Sequence, residues 1–339
     1  MLKRDLFMKY LVTSKTFFLF SVLFLLIACG GGSSENNSKV EPPNQSTLAK
    51  AYVNEILVIM RNNAVTRYVV DWGKLETEVN QLAANAKSIR DTYPAITRSL
   101  ELIGTNHSFL NSSSGTLITY PSTLTCTQNF EIDIPNVAGI GYIRVDSYTS
   151  NNTESKIEFA TNIQAEIAQQ ESQGVTAWVV DLRNNQGGNM WPMIAGLGPL
   201  FDNSLLGYFA DADENFTPWG YESGQSILDG NPIVTVNSHY TLMNPSPKIA
   251  VLSSQRVASS GEATLIAFKK QYNVRFFGTD TCGLSTANSS FKLSDGSELF
   301  LTTATTADRE QEKYGDRVAV DQPAMPENVL NEAISWLQE

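Results

Sequence analysis

Hydrophobic positions between residues 46 and 104 recur at helical spacing. Leu48, Tyr52, Val53, Ile56, Leu57 and Met60 mark one helical face. Trp72, Leu75, Val79, Leu82 and Ala86 mark a second, behind Asp71, a good N-cap. A third helix is expected to open near Pro94, whose fixed φ suits a first turn, and to stop at Gly104. These segments predict a small N-terminal helical module over 46–110, followed by a connector over 111–137. From Ala138 the pattern changes to alternating strands and helices. Residues 141–145 read as a strand, 157–167 as an amphipathic helix, and 175–182 as a strand apolar on both faces. A helix carrying Met193, Ile194 and Leu197 follows, and another is expected over 263–272. Further strands are expected at 233–236, 249–252, 274–277, 291–293 and 299–302, the last two flanking the hairpin signal Ser294-Asp295-Gly296. This alternation predicts an α/β core with parallel strand pairs over 138–325, closed by a C-terminal helix within 326–339.

The first 29 residues stand apart from this pattern. Lys3, Arg4, Lys9 and Lys15 precede an apolar run from Phe17 to Ile27, which is short for a membrane span and of signal-peptide length. The run enters Leu26-Ile27-Ala28-Cys29-Gly30, which resembles a bacterial lipobox with Cys29 as the lipidated residue. The Gly-, Ser- and Asn-rich stretch over 30–45 then reads as a flexible tether. The expected location is the bacterial cell envelope, on the periplasmic side of the outer membrane if the cell is Gram-negative.

About 290 of the 339 residues remain for the folded part, enough for a large core. The net charge of -11 and isoelectric point near 4.8 argue against a nucleic-acid partner, which needs basic patches. Besides Cys29, the cysteines are Cys126 and Cys282, which in an oxidising envelope either bridge or stay as two buried thiols. The two histidines, His107 and His239, lie far apart in sequence, no His-Glu-x-x-His occurs, and neither a metal nor an organic cofactor is implied.

Candidate chemistry centres on Arg256-Val257-Ala258-Ser259-Ser260-Gly261-Glu262, between an apolar strand and a helical pattern. A serine at such a turn is either a helix cap or a nucleophile exposed at a sheet edge, with free helix amides beside it. Glu262, in the first helical turn, suits the helix dipole and a capping box. After the strand at 175–182 comes Asn184-Asn185-Gln186-Gly187-Gly188. Its adjacent glycines would let backbone N–H groups approach a carbonyl, so Gly187 or Gly188, together with Ser260, are the oxyanion-hole candidates. Asn184 and Asn185 are expected to tie the turn. Trp191-Pro192-Met193 and Phe216-Thr217-Pro218-Trp219 supply apolar surface, either for a substrate pocket or for ordinary packing.

Four segments stand in one order: Asn106-His107-Ser108-Phe109, Asp181 to Gly188, Ala258 to Glu262, and Gly278 to Asn288. Together they resemble the tail-specific proteases, or carboxyl-terminal processing peptidases, over roughly residues 105–323. The resemblance implies a crotonase-like core and serine-type hydrolysis of peptide bonds. The catalytic lysine of the best-known members is replaced by Leu284, and Lys269 and Lys270 lie on the helix after Ser259. About 30 residues separate His107 from the first core strand, too few for a PDZ domain. The chain is more similar to the branch with a Ser-His-acid site, which implies Ser259 as nucleophile and His107 as general base. The acid is expected among Asp308, Glu310 and Glu312, with Asp308 preferred; His239 has no motif around it. The expected function is a lipid-anchored envelope serine endopeptidase acting on peptides or proteins. The alternatives are a catalytically silent peptide- or lipophile-binding lipoprotein of the same fold and an esterase with the same site.

Overall fold

The computed structural model describes residues 45–122, 124–127, 134–135 and 137–339. The signal segment, Cys29 and all but the last residue of the tether therefore lie outside the described residues.

Three helices open the described residues: α1 (Gln45–Asn63), α2 (Trp72–Ala83) and α3 (Tyr93–Leu102). The Asp71 side chain accepts from the Lys74 amide at the start of α2, and Pro94 sits in the first turn of α3. Tyr52, Ile56 and Met60 are buried as their spacing predicts, whereas Leu48 and Leu82 are exposed. The helices do not form a separate body. Tyr52, Ile56, Met60, Ile96 and Leu100 pack against Leu110, Leu299 and Leu301 of an antiparallel sheet. The boundary expected at 110/111 cuts through β1 (Phe109–Asn111), which pairs with β2 (Leu117–Ile118) and with the long β12 (Glu298–Asp308). Strands of two or three residues are too short for periodicity to reveal.

The second sheet is parallel throughout. Its strands are β3 (Ile140–Arg144), β4 (Ala177–Asp181), β9 (Lys248–Ser253), β10 (Val274–Gly278) and β13 (Gln322–Pro323), in the order β13-β10-β9-β4-β3. Both faces are covered. Trp178 and Val180 of β4, with Ile249 and Val251 of β9, join one core with α4 (Thr153–Ser172), α5 (Met190–Leu197) and α6 (Ser260–Ile266). Val179, Ala250 and Leu252 turn the other way, against Val329, Leu330, Ala333 and Leu337 of α7 (Val329–Gln338). Period-two alternation with apolar residues on both faces gives the continuous hydrophobic runs read from the sequence.

The antiparallel sheet is larger than the sequence suggested. Besides β1, β2 and β12 it contains β5 (Leu205–Asp211), β6 (Phe216–Glu222), β7 (Gln225–Leu228), β8 (Asn231–Thr235) and β11 (Thr286–Lys292). The β5–β8 meander turns at Glu214, at Ser223-Gly224 and at Asp229-Gly230, all with positive φ, and Asp229-Gly230 is the Asp-Gly pair of a two-residue hairpin between β7 and β8. The β11–β12 hairpin forms at the expected Ser294-Asp295-Gly296, where Gly296 takes φ +84° and its amide bonds Leu293 O.

Candidate active site

The parallel sheet delivers two loops from the carboxyl ends of neighbouring strands. The loop after β4 carries residues 182–189, and the loop after β9 carries 254–259. Crevices at such strand ends are where α/β sheets place ligands. Asp181, at the end of β4, forms a buried ion pair with Arg183 and accepts from the Tyr142 hydroxyl, which anchors the start of the first loop. Asn185, fully buried, then ties the two loops together. Its carbonyl accepts from the Ala258 amide at 3.1 Å, and its Oδ1 accepts from the Gly187 amide at 2.9 Å.

Ser259 occupies the sharp turn into α6 with φ +54° and ψ -120°. This conformation is costly for a non-glycine residue and persists only where its surroundings enforce it. Enforcement comes from two sides. A Cβ on Gly187 would lie 2.7 Å from Ala258 O and 2.8 Å from Ser259 Cβ, so the glycine loop presses directly on the serine turn. On the other side, the Ser259 amide donates to Glu262 Oε2 at 2.8 Å. Ser259 is partly exposed, and the Ser260 hydroxyl donates to Gly188 O at 2.8 Å, clamping the loops on either side of it.

Among the oxyanion candidates the geometry discriminates. The Gly187 N–H is already engaged by Asn185. The N–H groups of Gly188 and Ser260 have no acceptor among the described residues. They are the two donors that remain for a developing oxyanion at this junction.

Glu262 does more than the first-turn role read from sequence. It is fully buried and accepts from four donors: the amides of Ser259, Gly283 (2.9 Å) and Leu284 (2.8 Å), and the Thr281 hydroxyl. Burial pushes its carboxyl up to about 7, while the four donors pull it back. No sequence signal separates this from an ordinary capping box, because three of the donors come from a turn about twenty residues away. Cys282 lies inside that turn, its amide bonded to Val257 O at 2.8 Å, and it is joined to Cys126 with a Cα–Cα distance of 5.0 Å.

His107 follows α3 and directly precedes the Ser108–Phe109 step into β1. Its ring Nδ1 lies 2.8 Å from Thr286 Oγ1, and its carbonyl accepts from Asn288 Nδ2 at 2.9 Å, both partners lying on β11. A continuous chain links it to the serine turn. Thr286 N donates to Leu284 O at 2.8 Å, and Leu284 N shares Glu262 Oε2 with Ser259 N. Desolvation holds the imidazole neutral, lowering its pKa to about 4.

Asp308 does not meet His107. Phe109 pairs with Phe300 across β1 and β12, which sets His107 beside Thr302. The His107 ring reaches Thr286, which pairs with Thr305, and Asp308 lies three residues further along β12, about 10 Å at ~3.4 Å per residue. Its Oδ1 accepts from the Glu310 and Glu312 amides, and its Oδ2 from the Tyr314 hydroxyl. The carboxylate closes its own turn. Glu310 and Glu312 are exposed beside Lys270, whose ammonium bonds Glu312 at 2.8 Å. The Lys269 ammonium donates to Ala319 O. Of the apolar candidates, Met193 and Trp219 are buried in the main core, while Trp191 is partly buried with its ring edge-on to Phe209. His239 is exposed, after β8.

Residues 139–322 match peptidase family S41. The nisin-resistance protein of Lactococcus lactis subsp. lactis is 26% identical over 268 residues, spanning 79% of this chain and 80% of that protein. A solved lipoprotein from Streptococcus agalactiae superposes with a TM-score of 0.67 at 24% identity, covering 89% of this chain and 99% of that one. The photosystem II D1 C-terminal processing protease superposes with a TM-score of 0.56 at 16% identity, covering 88% and 98%. At these identities the two structures report a shared fold.

Proposed function

The chain belongs to peptidase family S41, and from that premise we propose that it is a serine endopeptidase of the bacterial cell envelope, anchored through lipid on Cys29. The observation that carries this reading is the backbone of Ser259, a strained non-glycine residue at a strand-to-helix turn with two acceptor-free amides beside it. In this reading Ser259 Oγ attacks the scissile carbonyl as His107 Nε2 takes its proton. The Gly188 and Ser260 amides hold the oxyanion. The protonated His107 then gives its proton to the leaving amine, and water releases the acyl group by the same route. A neutral imidazole is the form a base needs, and the burial of His107 keeps it so at envelope pH. The Cys126–Cys282 bridge, in the turn that donates to Glu262, supports the rigidity of the site.

The relative named for nisin resistance makes nisin the first peptide to test. Nisin incubated with the full-length protein is expected to yield fragments by mass spectrometry, and Ser259→Ala to yield none. Intact nisin, with a panel of unstructured peptides also uncut, would favour a binding lipoprotein without turnover. Cleavage of simple esters alone would favour an esterase.

A further inference from the structure

We infer that Thr286 takes the place of the acid at this site: it is a positioning residue that holds the His107 ring and fixes its tautomer. The inference rests on the peptidase reading for its consequence in catalysis, and on geometry for its substance. Among the described residues, the hydrogen-bond partner of the His107 ring is Thr286 Oγ1, at 2.8 Å from Nδ1. A threonine hydroxyl can accept from Nδ1–H, which leaves the Nε2 lone pair free to receive a proton. It carries no charge, so it orients the ring without the imidazolium stabilisation that a carboxylate adds.

The surroundings make Thr286 a rigid support. It is the first residue of β11, in register with Thr305 of β12, and its amide is fixed to Leu284 O. The register shifts immediately after it, between Ala287 and Asn288. Bulges re-aim side chains, and here Asn288 is brought onto the His107 carbonyl. Asn288 Oδ1 in turn accepts from the Thr302 hydroxyl at 2.9 Å, so β11 grips His107 by ring and backbone together. Thr286 is two residues from Leu284, whose amide shares a carboxylate oxygen with the Ser259 amide. One short segment thus sets the positions of both nucleophile and base.

The test reads the tautomer directly. With two histidines in the chain, the His239→Gln variant of the full-length protein, labelled with ¹⁵N-histidine, reports His107 alone. The expected spectrum has a protonated Nδ1 and an unprotonated Nε2. Thr286→Val is expected to shift the ring toward the Nε2–H tautomer, and Thr286→Ser to restore the first pattern. Thr286→Val should also slow fluorophosphonate labelling of Ser259 roughly ten- to a hundredfold, the scale of loss when an orienting partner of a metal-bound histidine is removed, with Thr286→Ser near the wild-type rate. A wild-type Nε2–H tautomer would overturn the inference, as would a Thr286→Val protein with unchanged spectrum and rate. If Thr286→Val does not fold, the wild-type spectrum and Thr286→Ser still decide. A wild type that never labels removes the peptidase reading, while the spectrum continues to judge Thr286.

Discussion

The carboxylate of Glu262 and the backbone amide of Ser259 meet at 2.8 Å, and that contact holds the serine in a backbone conformation it would not choose. The same carboxylate takes three further donors from residues 281–284, so the serine turn and the turn leading to Thr286 share one buried anchor. All four partners are donors. Glu262→Gln therefore turns one accepting oxygen into a donor facing two others. Two buried donors lose their acceptor, at about 1–3 kcal/mol each. At about pH 8, where Glu262 is ionised, we expect a loss of roughly 2–6 kcal/mol in urea unfolding, with slower labelling of Ser259. A change within about 0.5 kcal/mol, the range of an ordinary surface substitution, would contradict the anchoring role.

Burial keeps His107 neutral to about pH 4 in the folded protein, whereas the unfolded chain protonates it near pH 6.5. Its contribution to stability is complete above about pH 6.5 and is lost as pH falls toward 4. Glu262 acts with the opposite sign. Raised to about 7, it contributes fully below about pH 4.5 and loses that contribution as pH rises to 7. Between pH 6.5 and 4, His107→Gln should therefore lose less stability than wild type, measured by urea unfolding at stepped pH. Equal slopes would show that His107 is not held neutral by burial.

Asp308 serves its own turn, accepting from the Glu310 and Glu312 amides and the Tyr314 hydroxyl. Asp308→Asn, which keeps one accepting oxygen, is expected to leave the rate of Ser259 labelling within about threefold of wild type, against the ~10⁴-fold loss seen when a true triad acid is changed this way. Its effect should appear in thermal unfolding instead. A loss of labelling comparable to that of His107→Ala would return Asp308 to the catalytic group.

Cys126 and Cys282 close a loop of 156 residues onto the turn that donates to Glu262. Replacing both by serine is expected to cost about 2–5 kcal/mol. Alkylation of the denatured, unreduced protein should leave both residues unmodified. Two alkylated thiols would remove the bridge.

Much of the fold is legible in the sequence because buried parallel strands and amphipathic helices leave strong periodic signals. Residues 177–180 and 249–252 form apolar runs, and Tyr52, Ile56 and Met60 are spaced as a helix requires. Of the β5–β8 meander only β8 is expected from the sequence, at 233–236, because β5 and β6 are half-exposed and mix polar with apolar residues on both faces. The candidate site divides the same way. Ser259, Gly187 and Gly188 are local turn chemistry and stand out in sequence. The partner of His107 is a contact across 179 residues, set by strand register and a bulge, and nothing about Thr286 on its own announces it. The preference for an acid, and so for Asp308, comes from the resemblance, whereas the Asp308 oxygens bond the Glu310 and Glu312 amides and the Tyr314 hydroxyl.

In the proposed mechanism Ser259 is an activated nucleophile with His107 as its base. The most direct measurement is fluorophosphonate labelling of the full-length protein, with the adduct mapped by peptide mass. An adduct is expected on Ser259 in wild type, none in Ser259→Ala, and a strongly slowed one in His107→Ala. A well-folded wild type that takes no label, or one that labels equally fast without His107, would contradict it.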